Sequence, residues 1–305
     1  MDIAGEQRDY ADSRAELRGI ESHPRIRQER FLDEVTRGIE APHESMTTQT
    51  ATFSRIAVDL HAPVARIILR NPPVNVIDIP MMEELAAALA TIEAQCQIGV
   101  VVIVGSQAVF SAGVDVAAHT PDKVHEMLAK FHGVIHALIN SRKVSIACVH
   151  GNCLGGGAEL AAVCDLVYTS DSATWGFPEI KLGCYPPVAA TILAAIVGQK
   201  RAAELILTGR SITGREAATI GLANQAVPDA EVETTAEQSL DRLRKLSPVA
   251  LSSAKKAIYV WDAIHFHKGL ARAETIYLDE LMKTEDAQEG INAFLEKREP
   301  VWKGR

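Results

Sequence analysis

Apolar positions follow two rhythms from Phe53 onward. Ile56-Ala57-Val58 and Val64-Ala65-Arg66-Ile67-Ile68-Leu69 alternate or run apolar as strands do, with His61-Ala62-Pro63 as the turn between them. Met81 to Ala94 is rich in Ala, Leu and Glu and repeats at helical spacing. Val100–Val104 reads as a buried strand bounded by Gly105, Val124–Ile139 as a helix, and Ser145–Val149 as a second buried strand feeding Gly151–Gly157. Glu159–Val163 opens a helix and Asp165–Thr169 is again a strand. Such strand–helix alternation predicts an α/β fold with helices packed on sheets.

From about Val188 the pattern turns helical: Val188–Ile196, Lys200–Leu207, Thr213–Ile220, Val232–Lys245, Pro248–Ala263, Phe266–Met282 and Ala287–Lys297. Ser247-Pro248 and Thr284-Glu285-Asp286 read as helix starts. The expected division is an arm over residues 1–50, an α/β core over 51–245 and a helical region over 246–305. Residues 1–45 hold eleven acidic residues, seven arginines and no lysine. The segment has no apolar core segment of a secretory signal and is too acidic for an organelle transit peptide. Phe31, Leu32, Val35 and Ile39 share one helical face, so a short amphipathic helix competes with a poorly ordered arm, and Met46 is a second candidate start.

Composition narrows the function classes. The 305 residues are 47% hydrophobic, and no uninterrupted apolar run reaches the ~18 residues of a membrane span. A net charge of -8 disfavours nucleic acid as a partner. The five cysteines form no C-x-x-C, which reads as buried, reduced thiols in a cytoplasmic protein.

Three glycine-bearing segments carry the candidate chemistry: Phe110-Ser111-Ala112-Gly113-Val114-Asp115, Gly155-Gly156-Gly157-Ala158-Glu159-Leu160 and Trp175-Gly176-Phe177-Pro178-Glu179-Ile180. The glycine run lacks the Lys and Ser/Thr of a phosphate loop and the spacing of a dinucleotide fingerprint. Taken alone, it is equally a tight strand-to-helix turn. Glu159 and Glu179 each stand in the first turn of a helix, where an acid also suits the helix dipole. Exposed backbone N–H groups could hold an oxyanion while two carboxyls move protons. The apolar Trp175 and Phe177 beside Glu179 are expected to raise its pKa. His125-Glu126 lacks the second His of a zinc helix, Ser111 is not in G-x-S-x-G, and no His/Cys/Asp cluster has metal-ligand spacing. Lys200-Arg201, Lys255-Lys256 and Lys297-Arg298 read as solvated helix faces.

Together and in this order, these segments resemble the enoyl-CoA hydratase/isomerase (crotonase) superfamily over about Phe53 to Trp302. The likeness extends to His150–Leu160, Cys164-Asp165, Phe177–Gly183, Gly221-Leu222-Ala223 and Thr284–Gly290 running on to Arg298. It implies a spiral of ββα units, a helical trimerisation region forming a homotrimer or dimer of trimers, and an acyl-CoA thioester substrate with no further cofactor. The backbone N–H groups of Val114 and Gly156 match the family's oxyanion hole. Ala112, Gly113, Asp115, Gly155, Tyr185 and Pro187 match its substrate-binding surroundings, and Phe294 and Lys297 its CoA-holding end. Both Glu159 and Glu179 match the positions that hydratases use, which favours water addition over double-bond isomerisation or a non-catalytic binding role. Gly183-Cys184-Tyr185-Pro186-Pro187-Val188-Ala189-Ala190 is similar to the corresponding stretch of cyclohexa-1,5-diene-1-carbonyl-CoA hydratases. There Tyr185 would set a ring and hydroxyl beside the acyl group, and Pro187 would open the next helix.

Overall fold

The computed structural model describes residues 53–106 and 108–305; the arm expected over residues 1–50 lies outside them. The order of elements is β1 (Ile56–His61), β2 (Val64–Leu69), α1 (Ile79–Ala94), β3 (Val100–Val104), β4 (Val109–Ser111), α2 (Val124–Ile139), β5 (Val144–Val149) and β6 (Asn152–Leu154). Next come α3 (Gly156–Ala162), β7 (Leu166–Ser170), β8 (Thr174–Gly176), α4 (Pro187–Val197), α5 (Gln199–Thr208) and β9 (Ser211–Thr213). The chain continues with α6 (Gly214–Thr219), β10 (Gln225–Val227), α7 (Val232–Leu243), α8 (Pro248–Thr275) and α9 (Glu285–Leu295).

Two sheets share the strands. The larger runs β1-β2-β3-β5-β7-β10, parallel except where the hairpin sets β1 against β2. The smaller runs β4-β6-β8-β9, with β4, β6 and β8 parallel. Each of the pairs β3–β4, β5–β6 and β7–β8 thus lays one strand in each sheet before the chain leaves through a helical segment, which is the repeating ββα spiral.

The two-residue period of a strand sorts the core. Val101 and Ile103 face the main core with Ile67, Ala147 and Val167, under α1 and α2. Val100, Val102, Val144, Ile146 and Tyr168 face the other way, against Val232, Ala236 and Leu240 of α7. Strands buried on both faces read as unbroken apolar runs, as these do.

The C-terminal helices start where capping chemistry predicts. Ser247 accepts from the Ala250 amide with Pro248 at the first helical position, and Thr284 accepts from the Ala287 amide. Two expectations need correcting. The helices expected over Pro248–Ala263 and Phe266–Met282 are one helix, α8, because no Pro or Gly interrupts the chain between them; it ends in a π turn at Ile276–Glu280. Lys255 is not on a solvated face. It is buried, pairs with Asp165 at 2.8 Å and donates to the carbonyls of Leu138 and Lys143. Asp165 also accepts from the Ser145 amide and hydroxyl, so this pair ties α8 to the ends of α2, β5 and β7. Of the five free cysteines, Cys96 is exposed and the other four are buried. No described helix is long and apolar enough to cross a membrane.

Candidate active site

The parallel run of β4, β6 and β8 explains why three segments far apart in sequence meet. Parallel neighbours end at the same edge of a sheet, so the chain leaving each strand emerges beside the others. The turn after β4 carries Ala112–Asp115, the turn after β6 carries Gly155 and starts α3, and β8 leads into a 3-10 turn at Pro178–Leu182. Ser111 shapes the first turn: its hydroxyl donates to the Asn75 carbonyl at 2.7 Å and accepts from the Gly113 amide at 3.1 Å.

The glycines are required by close approach. Gly155 has φ +51, and a Cβ there would lie 2.6 Å from Glu179 Oε1. A Cβ on Gly156 would lie 2.5 Å from Val114 Cγ2 and 3.4 Å from the Val114 nitrogen. The loops therefore pack backbone on backbone. Ile77 bridges this loop by donating to the Gly113 carbonyl and accepting from the Asp115 amide. That register passes over the Val114 N–H. Gly156 is the first residue of α3, so its N–H has no carbonyl one turn back within the helix. Two amides left over by their own secondary structure thus stand side by side.

Glu159 and Glu179 share a cavity of ≈ 80 Å³ with these amides. Of the residues expected at the site, Ala112, Gly113, Val114, Gly155, Gly156, Glu159, Glu179, Tyr185 and Pro187 all line it. Asp115 is not among its lining residues: its carboxylate caps the next 3-10 turn by accepting from the Ala117 amide. Phe294 and Lys297 also stand apart from the cavity and are exposed, Phe294 in the last turn of α9 beyond the lining residue Ile291 and Lys297 just past the helix end. The Tyr185 ring lies in the wall, edge-on to Tyr277 at 5.3 Å, but its hydroxyl is committed to the Ala273 carbonyl of α8. Tyr185 also borders a larger apolar cavity of ≈ 700 Å³ between α4 and α8, which reaches neither glutamate.

The two carboxyls are held differently. Glu159 is only 3% exposed, and its Oε1 accepts from the Ala189 amide at 2.8 Å. Pro187 opens α4 as expected, so Ala189 is its third residue and its N–H is free of the helix ladder. Burial pushes the Glu159 carboxyl up to about 7, against the opposing pull of the Ala189 and Val188 amides. Glu179 is partly exposed as a residue, but its Oε2 is buried with no partner. Burial and then the charge of Glu159 raise its pKa well above the usual carboxylate range. Once pH rises above about 7 the pair therefore carries one proton, with the charge favoured on Glu159, where amides receive it, and the proton on Glu179.

The enoyl-CoA hydratase/isomerase family model matches residues 59–305. The chain belongs to this family. It is 32% identical over 251 residues to a cyclohexa-1,5-dienecarbonyl-CoA hydratase from Thauera aromatica, covering 82% of this chain and 97% of the relative. It is 36% identical over 247 residues to a probable enoyl-CoA hydratase of Bacillus subtilis (strain 168), covering 79% and 95%. The crystal structure of an enoyl-CoA hydratase from Mycobacterium avium subsp. paratuberculosis K-10 matches with TM-score 0.75 at 25% identity, covering 83% of this chain and 100% of that one. As a member of the crotonase superfamily the chain is an enzyme of the enoyl-CoA hydratase/isomerase family, built on the ββα spiral described above, and the relatives named as hydratases are lyases.

The crotonase cavity has walls that sequence reasoning did not single out: His119, Met127, Phe131, His132, Tyr277 and Ile291. His119 points its Nδ1 at the Asp115 carbonyl, 3.0 Å away, so that nitrogen carries the proton. His132 lies on the buried face of α2 among Met127, Leu128, Phe131 and Ile135. The available signal was a polar side chain repeating at the spacing of a helix's apolar face.

Proposed function

We propose that this enzyme adds water across the conjugated double bond of an enoyl-CoA thioester, the acyl group being a linear 2-enoyl or a cyclic dienoyl unit. The observation that carries this reading is the pair of unequal carboxyls facing two unclaimed amides in one cavity. The thioester carbonyl accepts hydrogen bonds from the Val114 and Gly156 amides, which draws electron density from the conjugated double bond. The Glu159 carboxylate takes a proton from water as the water oxygen bonds to Cβ. The π electrons move toward the carbonyl to give an enolate, whose oxygen charge the same two amides hold. Protonated Glu179 then delivers its proton to Cα. Proton return from Glu159 to Glu179 restores the starting pair.

Each backbone donor is worth roughly 2.7–4 kcal/mol to such a transition state, and each proton transfer about 10²–10⁴-fold in rate. Similarity to the Thauera aromatica hydratase supports the cyclic acyl option. In this reading the CoA end lies toward Phe294 and Lys297, exposed beyond Ile291, and the enzyme works in the cytoplasm as a homotrimer or dimer of trimers. A panel of linear, branched, aromatic and cyclic enoyl-CoA esters, followed by loss of the conjugated chromophore, tests the function. Hydration of at least one ester class is expected. Double-bond migration without hydration across the panel would establish an isomerase instead.

A further inference from the structure

One buried polar atom of a cavity-lining residue has no part in the water-addition steps. His132 is 2% exposed and lines the same cavity as Glu159, Glu179 and the Val114 and Gly156 amides. Its Nδ1 is bonded to the Glu274 carboxylate of α8. Its Nε2 is buried and has no hydrogen-bond partner. The two nitrogens of an imidazole diverge, so fixing Nδ1 on α8 turns Nε2 away from that helix. Burial lowers the His132 pKa more strongly than Glu274 raises it, so the ring is neutral near pH 7. A carboxylate accepts hydrogen bonds and cannot donate them. The single ring proton therefore sits on Nδ1, and Nε2 presents a bare lone pair.

We propose that His132 is a specificity-determining residue of the acyl pocket, its Nε2 accepting a hydrogen bond from a hydroxyl or N–H group carried by the acyl part of the substrate. This deepens the proposed function and rests on the reading of the cavity as an acyl-CoA site. Nε2 is already out of contact with water, so a wholly apolar acyl group beside it leaves that lone pair unpaired. An acyl group with a donor satisfies it. Sites built around such a hydrogen bond discriminate strongly against the analogue that lacks it. Glu274 acts by orientation, as it fixes both the ring and its tautomer. The proton transfers of hydration are already assigned to the two glutamates, which leaves His132 a recognition role.

Saturated thioesters separate recognition from turnover. Calorimetric titration of the full chain would compare hexanoyl-CoA with its 4-, 5- and 6-hydroxy derivatives, and cyclohexanecarbonyl-CoA with its ring-hydroxylated derivatives. The wild type is expected to bind at least one hydroxylated ester about 10-fold or more tightly than its parent. His132→Leu should bind the parent esters as well or better and lose the preference. His132→Gln, which retains a carbonyl acceptor, should recover part of it. Equal wild-type binding of every pair overturns the proposal whether or not the variants fold, as does a preference undiminished in His132→Leu. Binding without hydration of the matching unsaturated esters leaves the recognition role intact and overturns the hydratase reading. Failure of every ester to bind overturns both.

Discussion

The Ala189 amide donates to the Glu159 carboxylate at 2.8 Å, whereas Glu179 Oε2 is buried without a partner. One carboxyl is thus built to hold charge at the N-terminus of α4 and the other to hold a proton. Because each performs a separate step, Glu159→Gln and Glu179→Gln should each lower kcat by about 10²–10⁴-fold. Affinity for a saturated CoA ester should stay nearly unchanged, since neither side chain is needed to hold the thioester. Steady-state kinetics beside calorimetric binding checks both halves, and wild-type turnover in both variants would refute the assignment.

The same asymmetry sets a pH profile. Activity needs Glu159 ionised and Glu179 protonated. Below the Glu159 pKa of about 7, the base is lost to protonation, so kcat/KM should climb as pH rises toward that value. At higher pH, removal of the second proton disarms Glu179, whose pKa is raised well above the ordinary range. A bell with its acid limb near neutrality is expected in initial rates at constant ionic strength. A flat profile from pH 5 to pH 9 would contradict it.

Stability should follow the opposite course. A glutamate in the unfolded chain titrates at about 4.3. Glu179 releases its proton at higher pH in the folded state. Below the unfolded value both states are protonated and the group costs nothing. As pH rises past that value, the unfolded state gains by ionising while the folded state does not, and stability is lost until the folded pKa is passed. Glu179→Gln should therefore melt at higher temperature than the wild type at pH 8, with the gap closing toward pH 4. Thermal denaturation across that range reads the sign, and a lower melting temperature at pH 8 would count against it. A gain in stability with loss of activity is the trade-off expected when an ionisable group is kept buried and protonated for function.

Gly156 has no room for a side chain, since its Cβ would meet Val114 Cγ2 at 2.5 Å. Gly156→Ala should spread the two amides and cost about 10²–10³-fold in kcat, the scale of losing one oxyanion donor. An unchanged far-ultraviolet circular dichroism spectrum would show that the loss is local. Near-normal turnover would place the oxyanion elsewhere.

The elements that the sequence revealed are those long enough to show a period. β2, β3 and β5 are apolar runs of five or six residues, and α1 and α2 each carry a full helical stripe. The smaller sheet was illegible because β4, β6, β8 and β9 are three residues each, too short to display alternation, and glycine interrupts or follows several of them. Their motifs could be recognised, but the common sheet edge that unites them could not. The roles of single polar residues were hidden for a different reason. The partner of His132 lies 142 residues away and that of Lys255 lies across the core, on the chain entering β7. Asp115 matched a motif position, yet capping a local turn uses its carboxylate.

Water addition by the Glu159–Glu179 pair is tested most directly by turning over an accepted enoyl-CoA ester in oxygen-18 water. Mass spectrometry would then locate the label. One heavy oxygen should appear at Cβ of the hydroxyacyl product, at a rate that collapses in both Glu159→Gln and Glu179→Gln. A product that has moved its double bond with no heavy oxygen gained, or one labelled at the wild-type rate in both variants, would contradict the assignment.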